Sequence, residues 1–259
     1  MTDAPARPEV EMVNGKPLFQ QIWQGDSIER FSDPAVIAKL QGRVDCIITD
    51  PPFGVDNQSN MAVTQHGKEY TTKIANDETP EKAIEAFKGV MDALCPLTTP
   101  EGDMYVFTAW QVLDKWYDVA RWLESRHGYK FNALLIWEKD GPGMGDLDGW
   151  GMGHEMILYL KKGRRKPSEG VQRRNGVLHV PQVRPGTNIH PHEKPGGLLE
   201  HFIKWSTNPG DLIVDPFGGS GSLALQARKN RRSALCIEYD QVRYEKAAKR
   251  LAEVGHGLF

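Results

Sequence analysis

Leu212-Ile213-Val214-Asp215-Pro216-Phe217-Gly218-Gly219-Ser220-Gly221-Ser222 reads as a strand, a glycine turn and the start of a helix. Three apolar residues, two of them β-branched, suit a short buried strand. The glycines let the backbone approach a ligand closely, and a helix start offers free N–H groups. The following segments keep the alternation. The expected helix is Ser220 to Lys229, the next strand Ala234 to Ile237, and the last helix Gln241 to Val254. Glu238 closes that strand, where an acid commonly holds ribose hydroxyls. This is a nucleoside-binding signature. Gly219, Gly221 and Ala224 also satisfy the loose dinucleotide pattern, so a nicotinamide oxidoreductase stands beside it, and a packing turn without ligand is the ordinary alternative.

Reading toward the N-terminus, the same alternation recurs. Strands are expected at Leu18 to Trp23, 44–49, Met104 to Ala109, Tyr129 to Trp137 and Glu155 to Leu160. With Leu212 to Val214 and Ala234 to Ile237 these make seven. Helices are expected at Ser27 to Leu40, interrupted near Pro34, and at Pro195 to Thr207. Thr79-Pro80-Glu81 opens another with an N-cap, a first-turn proline and an early acid. Ile84, Phe87, Met91 and Leu94 give it one apolar face, and Val112, Trp116, Val119 and Leu123 stripe the next. Strands alternating with helices imply an α/β fold with a mostly parallel, doubly wound sheet.

Val44 to Thr49 delivers Asp50-Pro51-Pro52-Phe53 to the carboxyl end of its strand, the edge where open α/β sheets bind ligands. Two prolines stiffen the turn and remove N–H donors. An acid, a free carbonyl and a flat ring together suit an amino group on a planar heterocycle. A capped strand-end turn would look the same in isolation. His190-Pro191-His192-Glu193-Lys194-Pro195 holds two histidines two apart, but no acid or cysteine set completes a metal site, so no metal is expected. A structural loop leading into a helix would also fit.

The 259 residues, 39% hydrophobic and 25% charged, suit a globular protein with one large α/β domain. No run is long and apolar enough for a membrane, and no signal segment opens the chain. Met1 to Pro8 reads as a loose tail. Cys46, Cys95 and Cys236 are scattered, which points to buried thiols in a reducing cytosol. The net charge of −2 argues against a uniformly basic protein but allows a local patch. Lys161, Lys162, Arg164, Arg165, Lys166, Arg173, Arg174 and Arg184 form such a patch, with Glu169 as its one acid.

Taken together, three motifs resemble the S-adenosylmethionine-dependent amino-methyltransferases of DNA, in the permuted group whose catalytic motif precedes the cofactor motif. Asp50-Pro51-Pro52-Phe53 matches the family's (D/N/S)PP(Y/F/W). The segment 215–221 is similar to its DxFxGxG motif, and 190–195 to its HPxEKP motif. Gly25-Asp26, Ile74-Ala75-Asn76-Asp77 and Trp137-Glu138-Lys139 are weaker echoes. The middle position of HPxEKP is often a hydroxyl residue, and here it is His192.

The resemblance implies a seven-stranded sheet, six strands parallel and one antiparallel, in one domain over 1–259. The span 161–186 would be a short basic target-recognition insert and 54–79 a mobile loop. S-adenosylmethionine would be the cofactor. Phe217, Gly219 and Gly221 would wrap its methionine part, Glu238 the ribose and Asp26 the adenine end. Asp50, His192, Lys194, Asp215 and Ser222 would complete that site. Asp50 and the Pro51 carbonyl would accept the amino hydrogens of a flipped-out base, adenine rather than cytosine because the motif begins with Asp, and Phe53 would stack on it. Lys162, Arg164 and Arg165 would meet phosphates of double-stranded DNA, with Arg173 and Arg174 reaching bases. An RNA substrate stays open, and relatives of the group are often homodimers.

Overall fold

Every residue of Val44–Thr49 is buried, and a strand buried on both faces belongs inside a sheet covered by helices on both sides. The computed structural model, which describes residues 11–55, 75–141, 148–163, 175–183 and 193–255, places it there. In chain order the elements are β1 (Met12–Val13), β2 (Lys16–Pro17), β3 (Gln20–Gln24), α1 (Ser27–Ser32), α2 (Pro34–Leu40), β4 (Val44–Thr49), α3 (Pro80–Leu94), β5 (Thr98–Thr108), α4 (Leu113–His127), β6 (Lys130–Glu138), β7 (His154–Lys161), β8 (Val177–His179), α5 (Gly196–Ser206), β9 (Leu212–Asp215), α6 (Ser222–Lys229), β10 (Ser233–Glu238) and α7 (Gln241–Gly255). Among the described residues, β1 and β2 form a small antiparallel pair, and the other strands make one sheet in the order β3-β10-β9-β4-β5-β7-β6-β8. Within it only β7 runs antiparallel to its neighbours.

The helices cover the two faces in separate sets. Phe31 of α1, Phe87 and Met91 of α3, and Trp116 and Leu123 of α4 pack on one face, where they meet Ile47 and Val214. Leu198 and Phe202 of α5, Leu223 and Ala224 of α6, and Ala247 of α7 pack on the other, against Cys46, Ile48 and Ile213. Each large side chain withdrawn from water in this way contributes about 1.5–3 kcal/mol. The three cysteines are buried free thiols. No described helix is long and apolar enough to cross a membrane.

Local signals place most boundaries. Thr79 caps α3 by accepting the Lys82 N–H, and Asp33 caps α2 ahead of Pro34, which splits the helix read over 27–40. Most boundaries shift by one or two residues from the sequence reading, and two departures are larger. β5 begins at Thr98 and not Met104, because Thr98 pairs with Val44 and Asp103 with Cys46 and Lys161, across an irregularity in the register. The sheet also has an eighth strand. β8 lies within the basic segment and joins the edge of β6, where the Ile136 N–H donates to the Gly176 carbonyl at 2.8 Å. Three residues carry no readable period, so only the open edge of β6 makes them a strand. Of the expected insert and loop, 164–174, 184–186 and 56–74 lie outside the described residues.

Candidate active site

The strand order puts four acids along one edge of the sheet. β3, β10, β9 and β4 are neighbours, and their carboxyl ends lead into Asp26, Glu238, Asp215 and Asp50 respectively. In the chain these positions are scattered, and parallel pairing alone brings them into line.

Hydrogen bonds tie these ends together. Asp215 Oδ1 accepts from Thr49 Oγ1 and from the Phe217 N–H, both at 3.0 Å, so it joins β4 to the glycine turn. Burial pushes its carboxyl up to about 7, and the nearby Asp50 charge adds to that. Glu238 takes the Gly219 N–H on Oε2 at 2.7 Å and the Asp240 N–H on Oε1 at 2.8 Å. Burial raises its pKa as well. Asp26 caps α1, with Oδ1 accepting from Ile28 and Glu29, while Ser27 Oγ donates to the Pro216 carbonyl at 2.6 Å. The first turn of α1 is thereby fastened to the glycine turn.

The glycines of that turn serve different ends. A Cβ at Gly221, whose φ is +70°, would sit 2.7 Å from Ile22 Cδ1, so this glycine lets the turn lie against β3. At Gly219 a Cβ would meet nothing nearer than 3.9 Å, so the outer side of the turn is open.

Asp50 lies at the other end of this row. Lys194 Nζ is 2.8 Å from its Oδ2, 3.0 Å from Glu155 Oε2, and 4.7 Å from the centre of the Phe107 ring. Glu155 in turn holds Lys139 at 2.6 Å. Burial disfavours the Lys194 ammonium, but Asp50 and Glu155 on either side more than offset this and hold its pKa above the ordinary range. Glu193, one residue earlier, reaches the opposite way. It accepts from Ser222 Oγ at 2.9 Å and from Arg250 at 2.7 Å. Two adjacent residues therefore join the Asp50 turn to the N-terminus of α6. Phe53 is half-buried and packs against both cores, and Pro51 is buried.

A family model described as DNA methylase matches residues 44–250, most of the chain. The chain belongs to the N6/N4 DNA methylase family. It is 27% identical over 239 residues to the type II methyltransferase M.HpaI of Haemophilus parainfluenzae, covering 84% of this chain and 71% of that one. It is 28% identical over 233 residues to the type II methyltransferase M2.DpnII of Streptococcus pneumoniae, covering 80% and 82%. The fold is similar to that of the M1.HpyAVI–SAM complex, with a TM-score of 0.67 and 24% identity over 90% of this chain and 99% of that one. It is also similar to the PvuII cytosine-N4-specific DNA methyltransferase, with a TM-score of 0.66 and 19% identity over 91% and 88%.

In this DNA methylase the motif residues from the two ends of the chain meet at one sheet edge, and Lys162 stands apart from them. β7 is antiparallel, so Lys162 follows it toward the opposite edge, where its N–H donates to the Gly102 carbonyl of β5 at 3.0 Å. Its Nζ donates to Thr98 Oγ1 at 2.6 Å and to the Cys95 carbonyl at 3.0 Å, and lies 4.8 Å from the Tyr129 ring centre. Burial lowers its pKa. Lys162, expected to meet phosphate, is half-buried, and its ammonium donates to these two oxygens instead of standing free at the surface. His192, Arg164, Arg165, Arg173 and Arg174 lie outside the described residues.

Three residues were missed as members of the site. Asp77, within one of the weaker sequence echoes, accepts the N–H groups of Phe53 and Gly54 and so clamps the Asp50 turn. Glu193 is part of the HPxEKP match, but no spacing says which way it points. Glu155 opens an apolar strand with an acid, and only the register that pairs it with Trp137 brings it to Lys139.

Proposed function

We propose that this DNA methyltransferase moves the methyl group of S-adenosylmethionine to the exocyclic N6 of an adenine turned out of a DNA duplex. The observation that carries this reading is the placement of Asp50, held by Lys194, on the same sheet edge as the glycine turn and Glu238. The site fits such a cofactor, because the outer side of Gly219 is open and a buried acid lies beneath it.

Glu238 would hold the ribose hydroxyls, Asp26 the adenine end, and Phe217, Gly219, Gly221 and Ser222 the methionine part, with Asp215 bracing the turn. When bound, the cofactor supplies an electrophilic methyl on a sulfonium. The amino nitrogen of a base is a poor nucleophile, because its lone pair is delocalised into the ring. Asp50 and the Pro51 carbonyl accept its hydrogens and favour a pyramidal nitrogen aimed at the methyl, which is catalysis by orientation and electrostatics. Phe53 stacks on the base. The amino group is out of reach inside a stacked duplex, so the base must be flipped. Asp at the first motif position supports adenine over cytosine. Arg164, Arg165, Arg173 and Arg174 would contact DNA from a short insert within a single domain.

Calorimetry with S-adenosylmethionine and with NAD tests the cofactor, and tight binding of NAD alone would overturn the reading. Nucleoside mass spectrometry of digested DNA after reaction tests the base. N6-methyladenine is expected, and N4-methylcytosine as the only product would refute the assignment.

A further inference from the structure

Asp50, Lys194, Glu155 and Lys139 form a row of alternating charges, with successive contacts of 2.8, 3.0 and 2.6 Å. They come from four places in the fold: the end of β4, the loop before α5, the start of β7 and the residue after β6. Charges withdrawn from water are costly unless paired, so an assembly of four at a catalytic edge calls for a role.

We propose that Lys194 and Glu155 are positioning residues for methyl transfer: Lys194 aims Asp50 and keeps it an acceptor, and Glu155, braced by Lys139, keeps Lys194 from binding Asp50 too tightly. This rests on the reading of Asp50 as acceptor of the amino hydrogens. A cation beside a carboxylate favours its ionised form, so without Lys194 Asp50 would take up a proton at a higher pH. A protonated Asp50 would present a hydroxyl to the amino group. Lys194 prevents that. An ammonium paired with Asp50 alone, however, would draw away the charge density that the amino hydrogens need. Glu155 shares the ammonium and moderates it. Lys194 stays protonated between two carboxylates, so it does not serve as a base. Glu155 stays ionised, because Lys194 and Lys139 outweigh its burial. Lys194 and Asp215 lie next to Asp50, and Glu155 and Lys139 act on it through Lys194.

The charge row makes opposite demands on its members, and that separates positioning from mere packing. The test is the pH profile of single-turnover methylation, with adenine-unmethylated genomic DNA as substrate. Lys194→Met removes the cation next to Asp50, so the acid limb should move up, by about one unit at the lower end of such charge effects. Glu155→Gln leaves Lys194 to Asp50 alone, so the limb should move down. Both should slow transfer at least about tenfold, equivalent to about 1.4 kcal/mol in the transition state. Glu155→Gln should keep S-adenosylmethionine affinity, and Glu155→Asp should restore the wild-type limb. If Glu155→Gln does not fold, Lys139→Met serves instead, and its limb should move up by less than that of Lys194→Met. Shifts in the same direction for Lys194→Met and Glu155→Gln, or no shift, would overturn the proposal. Absence of methyl transfer by the wild type would instead count against the function on which it rests.

Discussion

Asp77 Oδ1 accepts the Gly54 N–H at 2.7 Å, and the same oxygen takes the Phe53 N–H at 3.0 Å. One buried carboxylate thus fixes the exit of the turn that carries Asp50. Gly54 has φ +78°, and a Cβ there would come within 2.3 Å of the Pro80 backbone, so the turn is pressed against the start of α3. Asp77→Ala should strand two N–H groups and cost roughly 1–3 kcal/mol of stability per unsatisfied buried group. Methyl transfer should fall further than S-adenosylmethionine affinity. Urea unfolding and a labelled-methyl assay measure the two effects. Asp77→Asn keeps an acceptor oxygen and should be milder. Wild-type transfer by the alanine variant would show that the turn is held by something else.

Gly219 and Gly221 should respond differently to alanine. At both, the left-handed backbone costs an L-residue roughly 1–2 kcal/mol. Gly221→Ala adds a Cβ 2.7 Å from Ile22 Cδ1, so its loss of stability should be the larger. Combining it with Ile22→Val, which removes that methyl, should recover part of the loss. A double-mutant cycle followed by thermal unfolding reads the coupling. Strict additivity would mean that the backbone, and not Ile22, absorbs the clash.

Asp215 links stability to pH. Burial raises its pKa to about 7 in the folded protein, above the ordinary aspartate value of roughly 3.9 expected on unfolding. The folded state therefore holds this proton more tightly than the unfolded chain. The stability this contributes is fully present below the unfolded value and is lost as pH rises to about 7. Asp215→Asn keeps an oxygen for Thr49 and Phe217 but removes the titration. Relative to wild type, the variant should gain stability between about pH 4 and 7 and then level off. Unfolding free energies of both proteins across that range test this, and a pH-independent difference would contradict it.

The basic segment should divide by function. Lys162→Met should lower stability, because the Thr98 hydroxyl loses its donor and the Cys95 carbonyl loses one of its donors, and it should leave DNA affinity unchanged. Reversing Arg164 and Arg165 to Glu should weaken binding to all DNA sequences. It should also flatten the plot of log K against log salt by about one unit for each phosphate no longer neutralised. Filter binding at several salt concentrations separates the two variants. A salt slope altered by Lys162→Met would restore that lysine to the DNA surface.

The acid of DPPF, the glycine turn and Glu238 were legible as ends of strands, because each follows a short apolar run. The cap at Thr79 was legible because capping depends on neighbours in sequence. Burial of the three cysteines was legible from their scattered placement outside any paired motif. These signals are local, and they sufficed for the α/β class and for the motifs of the site.

Other features depended on which strands become neighbours. The sequence placed Lys162 in a basic patch, but the antiparallel run of β7 carries it to the far edge of the sheet and turns its charge inward. It placed Val177–His179 within the basic insert without a strand, and the open edge of β6 makes them one. It grouped Lys194 with the cofactor residues, and its ammonium lies on Asp50 and Glu155. By itself the sequence determined the fold class and the identities of the motif residues, since hydrophobic period, caps and turn chemistry act over a few residues. Only the tertiary structure decided which charges face one another, because strand order and register join residues more than a hundred positions apart.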